Sequence, residues 1–117
     1  MSYMLLIVEP PDQRDTRTME DGRALYDRMV RFTENLAARG VLQASNSLVS
    51  DKQAVRVQVR GGESRLVDGP FAEAKEMIGG FFLIDCDTRE EAVQIAHECP
   101  AVEWCTVEVR EVGPCYL

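Results

Sequence analysis

The feature that most constrains the fold is a short apolar run followed by an amphipathic helix, because the chain contains this unit twice. Tyr3 to Val8 is a continuous apolar run of β-forming residues, which predicts a strand buried on both faces. A helix is predicted to begin near Thr18 and to end at Gly40, because apolar residues recur there every three or four positions: Leu25, Met29, Phe32 and Leu36. Phe81 to Cys86 predicts a second strand of the same kind, and a capping box at Thr88 begins the helix that follows it.

Four weaker strands complete the pattern. Val41 to Val49 predicts a moderate strand, and Thr106 to Arg110 alternates as the last one. Between them, Ala54 to Arg60 alternates valines with polar residues, which predicts a half-buried strand with one wet face. Gly61-Gly62 is typical of a tight hairpin turn, and Ser64 to Val67 returns as the partner strand.

The predicted order is therefore β-α-β, a hairpin, and β-α-β. A chain of 117 residues provides one ordinary domain, so we expect a single domain over residues 1–117. This order predicts the α+β class, with a ferredoxin-like protomer that carries an added β-hairpin. Two helices cover only one face of such a sheet. Since the strands are apolar on both faces, we expect a homodimer in which two sheet faces pack together.

Charge and composition exclude several functional classes. The formal net charge of −7 argues against nucleic-acid binding, which requires a basic surface. No apolar run approaches the roughly 20 residues of a membrane span. The first residues lack a charged signal-peptide region, so a cytoplasmic location is predicted, with reduced thiols at Cys86, Cys99, Cys105 and Cys115. Their spacing matches no usual zinc pattern, and no motif indicates a cofactor, so we predict neither a metal nor a cofactor.

One block of the sequence resembles a known family. The segment DGPFAEAKE, from Asp68 to Glu76, and the segment IGGFFLI, from Ile78 to Ile84, resemble the signature of the YCII-related, or DGPF, domain family. The opening Tyr3 to Ile7 and the closing Val107 to Arg110 also resemble that family's ends. The resemblance thus covers nearly the whole chain.

The resemblance implies a fold and a range of roles. It implies the dimeric α/β barrel type, in which ferredoxin-like protomers join through their sheets. Members of this branch are often encoded beside extracytoplasmic-function sigma factors, which implies a possible regulatory link. Some distant relatives resemble small-molecule enzymes with a His–Asp pair. The one histidine of this chain is His97, near the end of the second predicted helix, where the helix dipole alone favours it. The His–Asp pair is therefore not carried over.

The DGPF segment supplies the candidate site residues. Asp68 and Glu76 are the candidate catalytic carboxylates, each a possible general base if burial raises its pKa. Lys75 would present a cation to an acidic or polar ligand, and Glu73 and Tyr3 are the other candidate ligand-binding residues. The structural alternative is that Asp-Gly-Pro is ordinary turn chemistry and that the neighbouring charges are solvated.

Two functional hypotheses remain open at this point. The first is a small ligand-binding module with its pocket near the turn formed by Asp68, Gly69, Pro70 and Phe71, with a possible link to a sigma factor. The second is a cofactor-independent enzyme of the isomerase or lyase type, in which carboxylates of that segment do the acid–base chemistry. Because fold analogy does not decide function, the geometry of the site must decide between them.

Overall fold

A computed structural model describes residues 1–117. Four antiparallel strands form one sheet in the order β2-β5-β1-β6, and two further strands, β3 and β4, pair only with each other. This is the predicted ferredoxin-like α+β fold with an added hairpin. The elements, in chain order, are β1 Ser2–Glu9, α1 Met19–Ala38, β2 Leu42–Ser47, β3 Val55–Arg60, β4 Glu63–Asp68, β5 Met77–Asp85, α2 Arg89–Glu98 and β6 Thr106–Glu111.

The core lies between the two helices and one face of the sheet. Alternate residues of β1 (Tyr3, Leu5 and Ile7) point to this face and are buried. Phe32 of α1 meets Phe82 of β5 edge to face, with ring centroids 5.2 Å apart. The residues with no measurable exposure show that the packing continues through both helices: Leu5, Leu36, Ile84, Ala92, Cys99 and Ala101.

The helix ends follow the predicted local chemistry. The Thr18 hydroxyl accepts a hydrogen bond from the Asp21 amide at 3.1 Å, and α1 is followed by Gly40 with a φ of +74°. The Thr88 hydroxyl accepts from the Glu91 amide at 3.1 Å. The Glu91 carboxylate bonds back to the amide of Asp87, one residue before the cap, so the capping box forms in a slightly extended version.

The other face of the sheet is open. Met4 and Leu6 of β1 lie opposite Leu83 and Phe81 of β5 on this face, and all four side chains are only half-buried. The prediction that β1 and β5 are buried on both faces is therefore wrong for the single chain. The reason is that both helices pack on the same side of the sheet.

The hairpin formed by β3 and β4 stands away from the sheet. Val55, Val57 and Val59 are 53%, 67% and 63% exposed, so the predicted half-buried strand is wrong. The pattern of alternation was real, but no other element covers the apolar face. Since an isolated two-stranded hairpin is only marginally stable in water, contacts at its base must hold this one in place.

No helix of the structure is both long enough and apolar enough to cross a membrane.

Candidate functional site

A cavity of about 890 Å³ lies between α1 and the helix-covered face of the sheet. One face of α1 forms one wall, with residues at helical spacing that share an orientation toward the sheet: Gly22, Leu25, Tyr26, Met29, Val30 and Thr33. Ile7 and Phe82 form part of the opposite wall, and Trp104 lines it as well. Below, this space is called the helix–sheet cavity. Its volume falls within the range that binds small organic ligands.

An ion pair between a buried carboxylate and a partly exposed guanidinium lies at the wall of the helix–sheet cavity. Glu9, at the end of β1, is the one buried charged residue, with 5% of its surface exposed. Arg14 donates from Nε to Glu9 Oε1 at 2.5 Å, and from its two terminal nitrogens to the carbonyl of Leu48 at 2.8 Å and of Gly79 at 3.4 Å. The guanidinium therefore ties together the ends of β1, β2 and β5. Oε2 of Glu9 accepts no hydrogen bond from the chain, so it is available to a ligand.

The glycine pair in the IGGFFLI segment is explained by this site. A Cβ on Gly79 would lie 2.6 Å from Glu9 Oε2 and 2.8 Å from Arg14 Nη2, so any side chain there would displace the ion pair. A Cβ on Gly80 would lie 2.9 Å from the backbone carbonyl of Asn46 on the neighbouring strand. The two glycines thus allow β5 to pass close to the ion pair and to β2.

The thiols near the cavity are poor nucleophiles. Burial raises the pKa of the Cys99 thiol to about 11, and burial, with Glu9 as a smaller contribution, raises that of Cys105 to about 11. Both are therefore neutral thiols at physiological pH. No three His, Cys, Asp or Glu side chains come together in a way that could hold a metal ion. Glu9 is accordingly the group with the clearest capacity to accept a proton or a hydrogen bond in the helix–sheet cavity.

The five residues singled out from the sequence lie elsewhere. Tyr3 is 3% exposed in the hydrophobic core, where burial raises the pKa of its phenol. Asp68 is exposed at the end of β4, and Glu73 and Lys75 are exposed in the following loop. Glu76 is also exposed and lines a second, smaller cavity of about 430 Å³. None of the five lines the helix–sheet cavity, and their functional roles stay predictions.

The DGPF turn itself has a clear structural role. A Cβ on Gly69 would lie 1.8 Å from the carbonyl oxygen of Asp51, and the Gly69 amide donates to the Ala54 carbonyl at 2.8 Å. The Arg56 guanidinium lies 3.7 Å from the centroid of the Phe71 ring, a cation–π contact. The turn therefore fastens the base of the hairpin to the segment after β2.

The comparison with family models agrees with this architecture. The model described as the YCII-related domain matches residues 1–115. The chain belongs to the YCII-related domain family. An uncharacterized protein of Rhizobium meliloti (strain 1021) is 35% identical to this YCII-related domain over 86 residues, which is 74% of the chain. The matched region amounts to 64% of that relative's length, less than two thirds of it.

A solved structure shares the fold of this YCII-related domain. It is a 5-chloro-2-hydroxyhydroquinone dehydrochlorinase from Burkholderia phenoliruptrix AC1100, in complex with 2,5-dihydroxybenzoquinone. The TM-score is 0.57 with 14% identity, and the match covers 97% of this chain and 94% of the dehydrochlorinase. At this identity the likeness concerns the fold alone.

Sequence reasoning missed the ion pair at the helix–sheet cavity. Glu9 to Thr18 reads as a polar loop, but Glu9 continues β1 and Arg14 belongs to a short 3₁₀ helix over Gln13–Thr16. The available clue was an acidic residue directly after an apolar strand, where a carboxylate is expensive to bury unless a cation pairs with it. An arginine five residues later supplies that cation.

Proposed function

We propose that this YCII-related domain binds a small, partly apolar organic molecule with a hydroxyl group in the helix–sheet cavity. The observation that carries the proposal is the free oxygen of Glu9, a buried carboxylate whose charge Arg14 balances at the cavity wall. A hydroxyl of the ligand would donate to Glu9 Oε2. The ring or chain of the ligand would pack against apolar side chains of α1, Met29 among them.

Catalysis is the second candidate, and the same oxygen supports it. A carboxylate with a free oxygen at a cavity wall can take a proton from a carbon next to a carbonyl and return it at another position. This would be cofactor-independent isomerase or lyase chemistry, now assigned to Glu9. The dehydrochlorinase that shares the fold supports the idea of a small cyclic substrate. The sequence-based alternative, with Asp68 and Glu76 as the acid–base pair, stays a prediction.

Binding is tested by NMR titration of the ¹⁵N-labelled protein with hydroquinone as the probe, because its hydroxyl groups stay protonated at neutral pH and can donate to Glu9. Gly22 lines the helix–sheet cavity, and no atom lies within 4 Å of the Cβ that a larger residue would add there. Gly22→Leu should therefore fill part of the cavity and should reduce the shifts at cavity amides. Gly22→Ala is the matched control, because it improves helix propensity equally but leaves the space open.

Glu9 is tested separately. Glu9→Gln should weaken binding by roughly 10- to 100-fold, since a hydrogen bond to a charged acceptor contributes about 1.5–3 kcal/mol. For catalysis, wild-type protein should accelerate deuterium exchange next to the carbonyl of cyclohexanone, and Glu9→Gln should not. Shifts that persist unchanged in Gly22→Leu would contradict the proposed location.

We further propose that the open sheet faces of two copies pack together in a homodimer. Support comes from the apolar residues left half-covered on that face, with Leu83 near its centre. On the same face Glu108 and Arg110 lie 3.8 Å apart, so a two-fold arrangement can pair opposite charges between copies. The cytoplasmic location and the link to a sigma factor stay predictions.

A further inference from the structure

The hairpin formed by β3 and β4 has one apolar face that no other part of the chain covers. Val55, Val57 and Val59 share this face, because alternate residues of a strand point to the same side. Leu66 of β4 pairs with Val57 and is 69% exposed, so it belongs to the same face. These four residues are called the valine face below. A contiguous apolar patch that is left exposed commonly marks an interaction site.

The other face of the hairpin is the one that contacts the body of the chain. Arg56 lies on that face, and its guanidinium packs over the Phe71 ring after the DGPF turn. Both residues line the cavity of about 430 Å³ at the base of the hairpin. Since the contacts of the chain use the arginine side of β3, only another molecule can cover the valine face.

The base of the hairpin adjoins the open face of the sheet. Val8 of β1 lies on the open face, because it alternates with Met4 and Leu6, and it pairs with Ile78 of β5. Ile78 is 43% exposed and also lines the cavity at the base of the hairpin. A second copy that covers the open face therefore lies beside the hairpin.

The shape of the chain indicates a missing layer on this side. Its radius of gyration is 16.0 Å, whereas a compact domain of this length has about 13 Å. The principal extents are 47 × 41 × 18 Å, so the molecule is a thin slab with an extended outline. One sheet and one layer of helices account for that thickness, which leaves the open face without a covering layer.

The area of the open face is too small for a stable interface by itself. Four strands with about six residues each span roughly 400 Å², whereas a standard interface buries about 800 Å² on each partner. The two-stranded hairpin adds roughly 200 Å² by the same dimensions. In a two-fold pair each copy also receives the hairpin of its partner, which brings the area close to the standard size.

Charge favours a second copy of this chain as the partner. The hairpin from Val55 to Asp68 contains three arginines and two carboxylates, so its net charge is +1 and that of all other residues together is −8. Neither Arg60 nor Arg65 forms an ion pair within the chain. The basic hairpin and the acidic body are therefore complementary between two copies.

We propose that the valine face of each hairpin packs on the body of a second copy, so that the two hairpins clasp the homodimer. This inference rests on the homodimer proposed above and adds the contacts that complete its interface. It also gives the DGPF turn a purpose. Gly69 and Phe71 fasten the base of the hairpin, and they thereby hold the clasp at a fixed angle.

The first test is the dissociation constant of the dimer, measured by sedimentation of the full chain. Val57→Lys places a charge on the valine face and should raise this constant at least 10-fold. Val67→Lys is the matched control, because Val67 is 41% exposed but pairs with Arg56 on the other face of the hairpin. It should change the constant less than 3-fold. Circular dichroism should show both variants folded, since both side chains are exposed.

The second test detects the contact directly. In a mixture of ¹³C-methyl-labelled and unlabelled wild-type chains, isotope-filtered NOEs should connect the methyl groups of Val57 and Leu66 to the unlabelled partner. If these NOEs are absent, or if Val57→Lys dimerises as tightly as wild type, the clasp is refuted while the homodimer stands. Binding of the hairpin to anionic phospholipid vesicles, with the dimer unaffected by Val57→Lys, would refute it too. A wild-type chain that stays single up to millimolar concentration would refute the homodimer and the clasp together.

Discussion

Replacing Gly79 by alanine tests directly whether the Glu9–Arg14 pair is as tightly held as the structure shows. The added Cβ would lie 2.6 Å from Glu9 Oε2, about 0.8 Å inside the start of ordinary contact at 3.4 Å, and 2.8 Å from Arg14 Nη2. The ends of flexible side chains normally move aside at little cost. Here all three guanidinium nitrogens are bonded, so moving either group aside would stretch or break hydrogen bonds that join three strands.

The expected loss in the free energy of unfolding can be estimated from the costs of overpacking and of breaking an ion pair. Overpacking a filled interior costs about 1–3 kcal/mol, and breaking a buried ion pair costs about 3–5 kcal/mol. Gly79→Ala should therefore lower the free energy of unfolding by about 2–4 kcal/mol. For a domain of this size, roughly 4 °C of melting temperature corresponds to each kcal/mol. Urea denaturation followed by circular dichroism measures the free energy, and thermal scans measure the melting temperature.

A matched control and a double-mutant cycle isolate the cause. Gly113→Ala is the control, because no atom lies within 4 Å of its added Cβ and its φ is not positive. In a Glu9→Ala background the clash with the carboxylate is absent, so Gly79→Ala should cost less than about 1 kcal/mol there. A cost below about 0.5 kcal/mol in the wild-type background, or the same cost in both backgrounds, would refute the reasoning.

Four further predictions concern the fold, the association of copies and the thiols. Thr88→Ala removes the cap of α2 and should lower the free energy of unfolding by about 1 kcal/mol, measured by urea denaturation. Leu83→Glu places a charge on the open sheet face and should convert a dimer into single chains by light scattering, whereas Gln94→Glu on the exposed side of α2 should not. Cys115 is exposed and should react quickly with a disulfide reagent at pH 8, whereas Cys99, with its pKa raised to about 11, should react only on unfolding. Cys99 stays protonated in the folded protein at pH values where it ionises in the unfolded chain. The free energy of unfolding should therefore fall as the pH rises from about 9 to 11.

The local features of the fold could be predicted from the sequence because each rests on a few neighbouring residues. The caps at Thr18 and Thr88 and the left-handed glycine at Gly40 need only the residues within one turn. The ferredoxin-like order followed from the apolar strands and helix stripes in turn. Exposure of the hairpin could not be predicted in this way. Alternation at Val55 to Arg60 shows which face is apolar, but not whether another element reaches it.

The candidate site residues show the same difference between features set by neighbouring residues and features set by distant contacts. The DGPF segment drew attention because it concentrates charged residues within nine positions, from Asp68 to Glu76. The features of that segment that the structure explains most fully are Gly69 and Phe71, which carry no charge and which fasten the turn to Asp51 and Arg56.

The groups with chemical potential are those whose polar atoms are buried, and burial depends on contacts between distant parts of the chain. Glu9 is held by Arg14, whose remaining donors reach carbonyls at Leu48 and Gly79. Asp51 is enclosed partly by a turn that lies almost twenty residues later in the sequence. A carboxylate exposed to water is common and says little about function. It points to a functional site when the fold buries it and leaves one of its oxygens without a hydrogen-bond donor. In this domain the free oxygen of Glu9 is such a group, and it defines a ligand for the helix–sheet cavity by the hydrogen-bond donor that it still requires.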